Sequence, residues 1–266
     1  ALLASCGADM AIKLWDMGSH SCIKTLQGHE HAVSAVRFLS DDFLVSASRD
    51  KTIRVWAVET SYCLSTATGH SEWVRRLAVA PGLLASCSSD HSVRVWSTAD
   101  PNKLQMVADL RGHSHVVEAV AFAPPSLTHL GAAKPSPASA TPVDGSDTEP
   151  SSSNAPPTIP QPTFLASASR DKSIRIWHIK SGRCVATLNG HSNWVREVVF
   201  HPNGTHLFSV SDDKSIKIWD VPQERCIRTI EDAHNHFIGS AAIVDGPDLR
   251  LITGGVDNFV RIWPSG

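Results

Sequence analysis

The sequence predicts an all-β protein, a β-propeller of repeated four-stranded blades, and three observations carry the prediction. A Ser or Thr is followed four residues on by Asp and six further on by Trp, at Ser5/Asp9/Trp15, Ser46/Asp50/Trp56, Ser86/Asp90/Trp96, Ser167/Asp171/Trp177, Ser209/Asp213/Trp219 and Thr253/Asp257/Trp263. The Trp residues are separated by 41, 40, 81, 42 and 44 positions, the 81 being one repeat plus an insertion. A period of about 40 residues is that of one propeller blade. A His precedes most of these triplets, as Gly-His at His29, His70, His113 and His191 and as Ala-His at His234.

The second repeat sets the reading of each blade. Strands are expected at Val33–Phe38, Phe43–Ser48, Ile53–Val58 and Tyr62–Thr66, with Arg49-Asp50-Lys51 as a turn. These runs are short, rich in Val, Ile and Trp, and split by polar turns. The third strand is apolar on both faces (Ile53, Val55, Trp56), which suits a sheet packed between two neighbours. The first repeat lacks its Gly-His and innermost strand, and the last ends at Trp263 without an outermost strand. The expectation is therefore an incomplete propeller: about six of seven blades, the first and last partial, with a further blade and an amino-terminal region lying elsewhere.

Residues 1–123 and 163–266 carry the blades. Residues 124–162 hold ten of the chain's sixteen prolines among Ser, Ala and Thr. Such a segment buries too little apolar surface to offset its ordering entropy, so a disordered insertion is expected, between the first and second strands of one blade. Ser136-Pro137 and Thr141-Pro142 within it are weak kinase-target motifs. The formal net charge of −2 argues against a bulk nucleic-acid or membrane binder, and no apolar run is long enough to span a bilayer. The six cysteines track the repeat, equivalent ones fall on different blades, and no Cys-x-x-Cys occurs, so they are read as small buried hydrophobes without disulfide or zinc. His31, His115 and His236 read as surface residues, not metal ligands. No cofactor is expected.

The Ser/Thr, His, Asp and Trp of each blade read as one hydrogen-bonded chain, because a buried carboxylate needs donors. Its members are His29, Ser46, Asp50 and Trp56; His70, Ser86, Asp90 and Trp96; His113, Ser167, Asp171 and Trp177; His191, Ser209, Asp213 and Trp219; and His234, Thr253, Asp257 and Trp263. A Ser–His–Asp set also suggests a hydrolase triad. Its recurrence blade after blade, without a Gly-x-Ser-x-Gly elbow, argues for structure, and the chain is read as no enzyme.

Departures from the repeat point to a binding surface. Arg precedes the turn Asp in only two repeats, at Arg49 and Arg170. Trp73 and Arg75, and again Trp194 and Arg196, lie three and five residues after a repeat His. Lys214 follows a turn Asp. Arg49, Arg75, Arg170, Trp194 and Lys214 come from four consecutive blades and should trace a basic arc with an aromatic anchor on one rim, the usual composition of a protein-binding hot spot.

The Gly-His, the Asp turn and the Trp ending each repeat resemble the WD40 propeller. Longer runs narrow the resemblance: Ser46-Ala47-Ser48-Arg49-Asp50-Lys51-Thr52-Ile53, Glu72-Trp73-Val74-Arg75, Leu84-Ala85-Ser86-Cys87, His113-Ser114-His115-Val116-Val117-Glu118, Ser169-Arg170-Asp171-Lys172 and Asn193-Trp194-Val195-Arg196 resemble the lissencephaly and nuclear-distribution family of dynein regulators, whose founding member is also described as the non-catalytic subunit of an acetylhydrolase. The resemblance implies a seven-bladed propeller, with homodimerisation through an amino-terminal LisH motif and coiled coil. It implies binding to the cytoplasmic dynein motor domain through Arg49, Arg75, Arg170, Trp194 and Lys214, and to acetylhydrolase catalytic subunits through Glu72 and Asp171. Coiled-coil regulators of the nuclear-distribution family are further implied partners. Cytoplasm, microtubules and centrosome are the implied locations. The alternative is the substrate receptor of a ubiquitin ligase, which also grips phosphorylated peptides with arginines on one face. A chromatin-complex subunit would need nuclear import signals, which this sequence does not show.

Overall fold

The computed structural model describes residues 1–128, 130, 160–244 and 249–264. These residues form a β-propeller of six blades, each an antiparallel sheet. Blade one holds β1 (Leu2–Cys6), β2 (Ile12–Asp16) and β3 (Ser21–Leu26). Blade two holds β4 (Val33–Phe38), β5 (Phe43–Ser48), β6 (Ile53–Ala57) and β7 (Cys63–Ala67), and blade three β8 (Val74–Ala80), β9 (Leu83–Ser88), β10 (Ser92–Ser97) and β11 (Gln105–Arg111). Blade four holds β12 (Val117–Phe122), β13 (Phe164–Ser169), β14 (Ser173–His178) and β15 (Arg183–Asn189). Blade five holds β16 (Val195–Phe200), β17 (His206–Ser211), β18 (Ile216–Asp220) and β19 (Arg225–Ile230). Blade six holds β20 (Ile238–Val244), β21 (Arg250–Gly255) and β22 (Val260–Pro264). In blade two the third strand ends one residue earlier than expected and the fourth is shifted by one, at the turn that joins them. The core of the expected insertion, residues 131–159 with both Ser-Pro and Thr-Pro motifs, lies outside the described residues.

The core lies between blades, not within them. Ala35, Val45, Ile53 and Val55 of blade two pack on Val74, Leu77, Leu84 and Trp96 of blade three. Equivalent clusters join the other neighbouring pairs. This is why β6, β10 and β14 read as apolar on both faces: a sheet with a neighbour on each side meets no water. The outer faces of the terminal blades stay open, with Leu3 51%, Val260 73% and Ile262 59% exposed.

One local device repeats in all six blades. The residue after the turn Asp is left-handed without being glycine, at Met10, Lys51, His91, Lys172, Lys214 and Asn258, with φ between 64° and 72°. That conformation costs about 1–2 kcal/mol in an L-residue. The Asp offsets it by bonding its own turn: Asp50 Oδ1 accepts from the Thr52 N–H (2.9 Å) and hydroxyl (2.6 Å). The Gly before the His has a separate reason. A Cβ on Gly28 would lie 3.1 Å from Trp56 Cη2, and one on Gly69 2.0 Å from Arg94 Nη1, both at φ near +150° (151° and 147°).

The expectation that the cysteines are buried holds for Cys87 only. Cys6 is half-buried, and Cys22, Cys63, Cys184 and Cys226 are exposed. Each of these four pairs opposite a repeat Trp on the outermost strand, which has a neighbour on one side alone, so the Trp is covered and the thiol is not.

Candidate functional site

The turn network comes first because it holds the rim in place. In blades two to six the His Nδ1 lies 2.7–2.9 Å from the turn Asp. The Trp indole N–H donates to the Ser or Thr oxygen at 2.8–2.9 Å. The same hydroxyl lies 2.7–2.8 Å from His Nε2. A ring proton on Nδ1, facing the carboxylate, fits the contact to Asp. Ser46, Ser86, Ser167, Ser209 and Thr253 are fully buried. Blade one keeps only the Trp15–Ser5 bond (2.8 Å).

These bonds fix the sign of the pH response. Burial alone would raise the Asp50 carboxyl, but bonds from the Thr52 hydroxyl, His29 and the Thr52 N–H outweigh it and bring it down to about 2. Asp90, Asp171 and Asp213 are lowered the same way, with burial opposed by His and Ser donors. Burial lowers His29 as well, against the pull of Asp50. An unfolded His gains a proton near pH ~6.5 and an unfolded Asp near ~3.9, so both groups take up protons on unfolding before they do so in the fold. Stability is then complete above about pH 7, declines below the unfolded His value, and falls more steeply below about pH 4. Urea midpoints measured from pH 8 to pH 3 check this; a maximum near pH 5 contradicts it.

The rim is built by a β-bulge that recurs at one place in the first strand of blades two to six. The pairing register slips between Val33/Ala35, Val74/Arg76, Val117/Ala119, Val195/Glu197 and Ile238/Ser240. The extra residues are Ser34, Arg75, Glu118, Arg196 and Gly239. A bulge re-aims its side chain out of the sheet alternation. In three blades that residue meets the one before the turn Asp of its own blade: Arg75 Nε donates to Ser89 Oγ (2.8 Å), Arg170 Nε to Glu118, and Arg196 to both oxygens of Asp212 (2.7 Å each).

Two tryptophans lock the arginines from neighbouring blades. The Arg49 and Arg75 guanidiniums sit 3.5 and 5.2 Å from the Trp73 ring centre. Those of Arg170 and Arg196 sit 4.2 and 4.9 Å from that of Trp194. Each such contact contributes about 0.5–2 kcal/mol, more as water is excluded. Both tryptophans are half-buried, so inter-blade packing and surface presentation are one arrangement here. Burial, and the like charges of Arg170 and Arg49, hold Arg75 below an ordinary guanidinium, with Glu118 opposing. Arg196 is raised, first by its bonds to Asp212.

The arc is therefore less uniformly basic than its sequence suggests. Arg170 is paired with the buried Glu118, and Arg196 lies 3.5 Å from the same carboxylate. Arg49, Arg75 and Lys214 make no ion pair among the described residues. Glu118 was not read from the sequence, and Arg196, placed near the rim by its spacing, was not among the five arc residues. The signal was available, since Glu118 holds the register position of Arg75 and Arg196, five after a repeat His. The Glu72 carboxylate is exposed and meets only Lys51 among the described residues, at 3.4 Å, while its carbonyl accepts from Ser88 Oγ at 3.1 Å. Asp171 lies inside the blade-four network.

Comparison with known proteins meets this geometry. A model described as WD domain, G-beta repeat matches residues 20–57, 61–97, 158–178, 182–220 and 224–264. The chain belongs to the WD40-repeat family. This WD40 chain is 42% identical to a nuclear distribution protein nudF of Aspergillus niger, over 98% of its own length and 61% of that protein's. It is 38% identical to a nuclear distribution protein PAC1 of Arthroderma otae, over 98% of the chain and 62% of the relative. A PAC1 protein of Fusarium vanettenii is 45% identical over 76% of the chain and 44% of the relative. The resemblance to nuclear-distribution proteins that the short runs carry thus extends along nearly the whole chain. The chain spans about three fifths of the length of the first two relatives.

Proposed function

We propose that this chain is the non-catalytic propeller of a nuclear-distribution regulator, and that its rim binds the cytoplasmic dynein motor domain. The observation that carries the reading is the paired Arg–Trp–Arg stack, set on a blade rim in a chain whose relatives are named for nuclear distribution. Arg49, Arg75 and Lys214 supply free positive charge to an acidic surface, and Trp73 and Trp194 supply flat, preorganised area. Binding would bias the motor's conformational equilibrium by its difference in affinity for the two states. Charge steering makes association fast and salt-sensitive. Coiled-coil nuclear-distribution proteins and acetylhydrolase catalytic subunits are proposed as further partners, with a cytoplasmic, microtubule-associated site of action.

The Ser–His–Asp sets support a non-catalytic reading. Each hydroxyl is buried, bonded to both Trp and His, and repeated around the ring, so none is free to attack a substrate.

Arg75→Ala gives the cleanest test. Its side chain bonds only Ser89 and the Trp73 face, so the melting temperature should stay within about 2 °C while motor affinity falls about tenfold and the salt dependence flattens. Arg170→Ala should also weaken binding, but it strips the buried Glu118 of its closest cation and costs about 1–3 kcal/mol of stability as well. Unchanged affinity of Arg75→Ala at low salt refutes the rim as the docking surface.

A further inference from the structure

We propose that the rim continues past the basic arc into a socket beside blade six, floored by Phe237 and Val256 and walled by mutually paired charges, and that this socket takes one uncharged apolar side chain from the partner whose acidic groups meet the arc. The proposal rests on the motor-binding reading above and extends it to a second, chemically different contact.

The socket exists because of a missing side chain. Ser34, Arg75, Glu118 and Arg196 fill the bulge position in blades two to five; blade six has Gly239 there. Nothing in the backbone demands glycine. Gly239 is not among the residues with positive φ, and a Cβ built on it meets nothing closer than the Gly254 carbonyl oxygen at 4.0 Å. The space left is a cavity of about 280 Å³, lined by Phe237, Gly239 and Val256 of blade six, Arg196 and Asp212 of blade five, Glu118 of blade four and Arg76 of blade three.

Phe237 holds the register position of Trp73 and Trp194, three residues after a repeat His. Those tryptophans are each covered by two guanidiniums; Phe237 has none over its ring among the described residues and is 36% exposed, beside Val256 at 59%. The loop and turn that carry these two side chains are tied together, since the Val256 N–H donates to the Phe237 carbonyl at 2.8 Å. An aromatic ring held on a fixed backbone, half open to water, gains most by burial under another apolar group.

The charges around the socket select against a charged occupant. Arg196 is bonded to both oxygens of Asp212, Glu118 accepts from Arg170 and faces Arg196, and Arg76 lies 3.6 Å from Glu197. A charged group entering here would lose its hydration and find every counter-charge engaged. An aliphatic side chain of Leu or Met size loses nothing comparable. Arg196 joins the two regions: one face of its guanidinium lies over Trp194 and its edge walls the socket. Lys214 follows Asp213 in the turn that also carries Asp212. A partner segment that lays acidic residues on Lys214 and Arg170 therefore brings its next side chain to the socket.

The test uses the full-length protein and a purified cytoplasmic dynein motor domain, with affinity and rate constants measured at two salt concentrations. Phe237→Ala removes the floor of the socket, and Gly239→Leu fills it while leaving the floor intact. Each should weaken binding at least about tenfold, through faster dissociation with little change in association rate, and should leave the salt dependence as in the wild type. The double variant should bind no more weakly than the worse single one, because both close the same socket. Gly239→Leu should melt at or above the wild-type temperature, since a strand glycine is replaced by a side chain with room to sit. If both variants bind like the wild type, the socket is not a contact and the arc stands alone. Normal binding by folded Gly239→Leu overturns the socket even where Phe237→Ala is weak. No binding by the wild type overturns the motor reading and the socket together.

Discussion

Asp171→Ala lowers the melting temperature by about 6–20 °C, and partner binding falls only in step with unfolding. The four bonds to this carboxylate set the size of the effect. Asp171 Oδ2 accepts from His113 Nδ1 (2.8 Å) and the Ser114 N–H (3.0 Å), and Oδ1 from the Ser173 N–H (3.0 Å) and hydroxyl (2.6 Å). Removing it strands four donors, two of them on the side chains of the buried His113 and Ser173, and leaves the left-handed turn at Lys172 held only by the bonds from Lys172 N–H to the Ser169 carbonyl and from the residue-171 N–H to Ser169 Oγ among the described residues. Deleting one partner of a buried ionic network costs about 3–5 kcal/mol, and a domain of this size shifts by about 2–4 °C per kcal/mol. Glu72→Ala is the matched control. The Glu72 carboxylate is exposed and meets Lys51 alone among the described residues, so its loss should change stability by no more than about 0.5 kcal/mol. The family resemblance assigns both residues to one interface, but their surroundings separate them: Glu72 is free to touch a partner, whereas every lone pair that Asp171 turns toward the protein is engaged. Thermal melts with a pull-down of acetylhydrolase catalytic subunits decide it. An Asp171→Ala protein that melts normally yet fails to bind would make Asp171 a direct contact.

The fold was legible because the propeller repeats its chemistry. Trp177 and Asp171 sit in blade four at the same spacing as in its neighbours, so even an insertion that doubles one repeat leaves the register readable. Trp residues at equal intervals, polar turns and two-faced apolar strands such as Ile53–Ala57 give period, boundaries and burial in one pattern. The cysteines misled for a physical reason: Cys22 and Cys63 keep step with the repeat tryptophans and pair opposite them, but they lie on the outermost strand, which has one neighbour, so the thiols stay exposed. The rim was half legible. Arg49 and Arg170 stood out as departures from the turn sequence, and Trp73 and Trp194 by their spacing from the repeat His. The bulge was not legible, since an extra residue in β8 or β16 leaves no composition signal and only the strand register exposes it. Without the bulge, Glu118 reads as an ordinary strand residue, and the neutralisation of Arg170 by Glu118 stays hidden. Gly239 was silent for the same reason, its significance being a side chain that four equivalent positions have and it lacks.

Trp194→Ala should weaken binding to the motor domain about thirtyfold while the protein stays folded. Trp194 is where the two halves of the rim meet. The Arg170 and Arg196 guanidiniums lie 4.2 and 4.9 Å from its ring centre, with His115 6.3 Å away between ring centres. A hot-spot tryptophan is worth about 2 kcal/mol or more on truncation, and about 1.4 kcal/mol is a factor of ten. Stability should drop by only about 1 kcal/mol, because both arginines keep their carboxylates, Glu118 and Asp212, and the ring is half-buried to begin with. Trp219 is the contrast: it is 1% exposed, lies within the core shared by blades four and five, and its truncation should cost about 3–5 kcal/mol. Trp73→Ala tests the other stack, and there the arginines have less to fall back on. Arg49 makes no ion pair among the described residues and Arg75 keeps only Ser89, so loss of the ring releases both guanidiniums and the penalty includes their disorder. Trp73→Ala should therefore slow association as well as speed dissociation, whereas Trp194→Ala acts on dissociation alone. Trp194→Phe should restore most of the affinity, since a flat face is what the arginines need. Binding of Trp194→Ala within threefold of the wild type, measured with a folded protein at low salt, removes the rim from the interface.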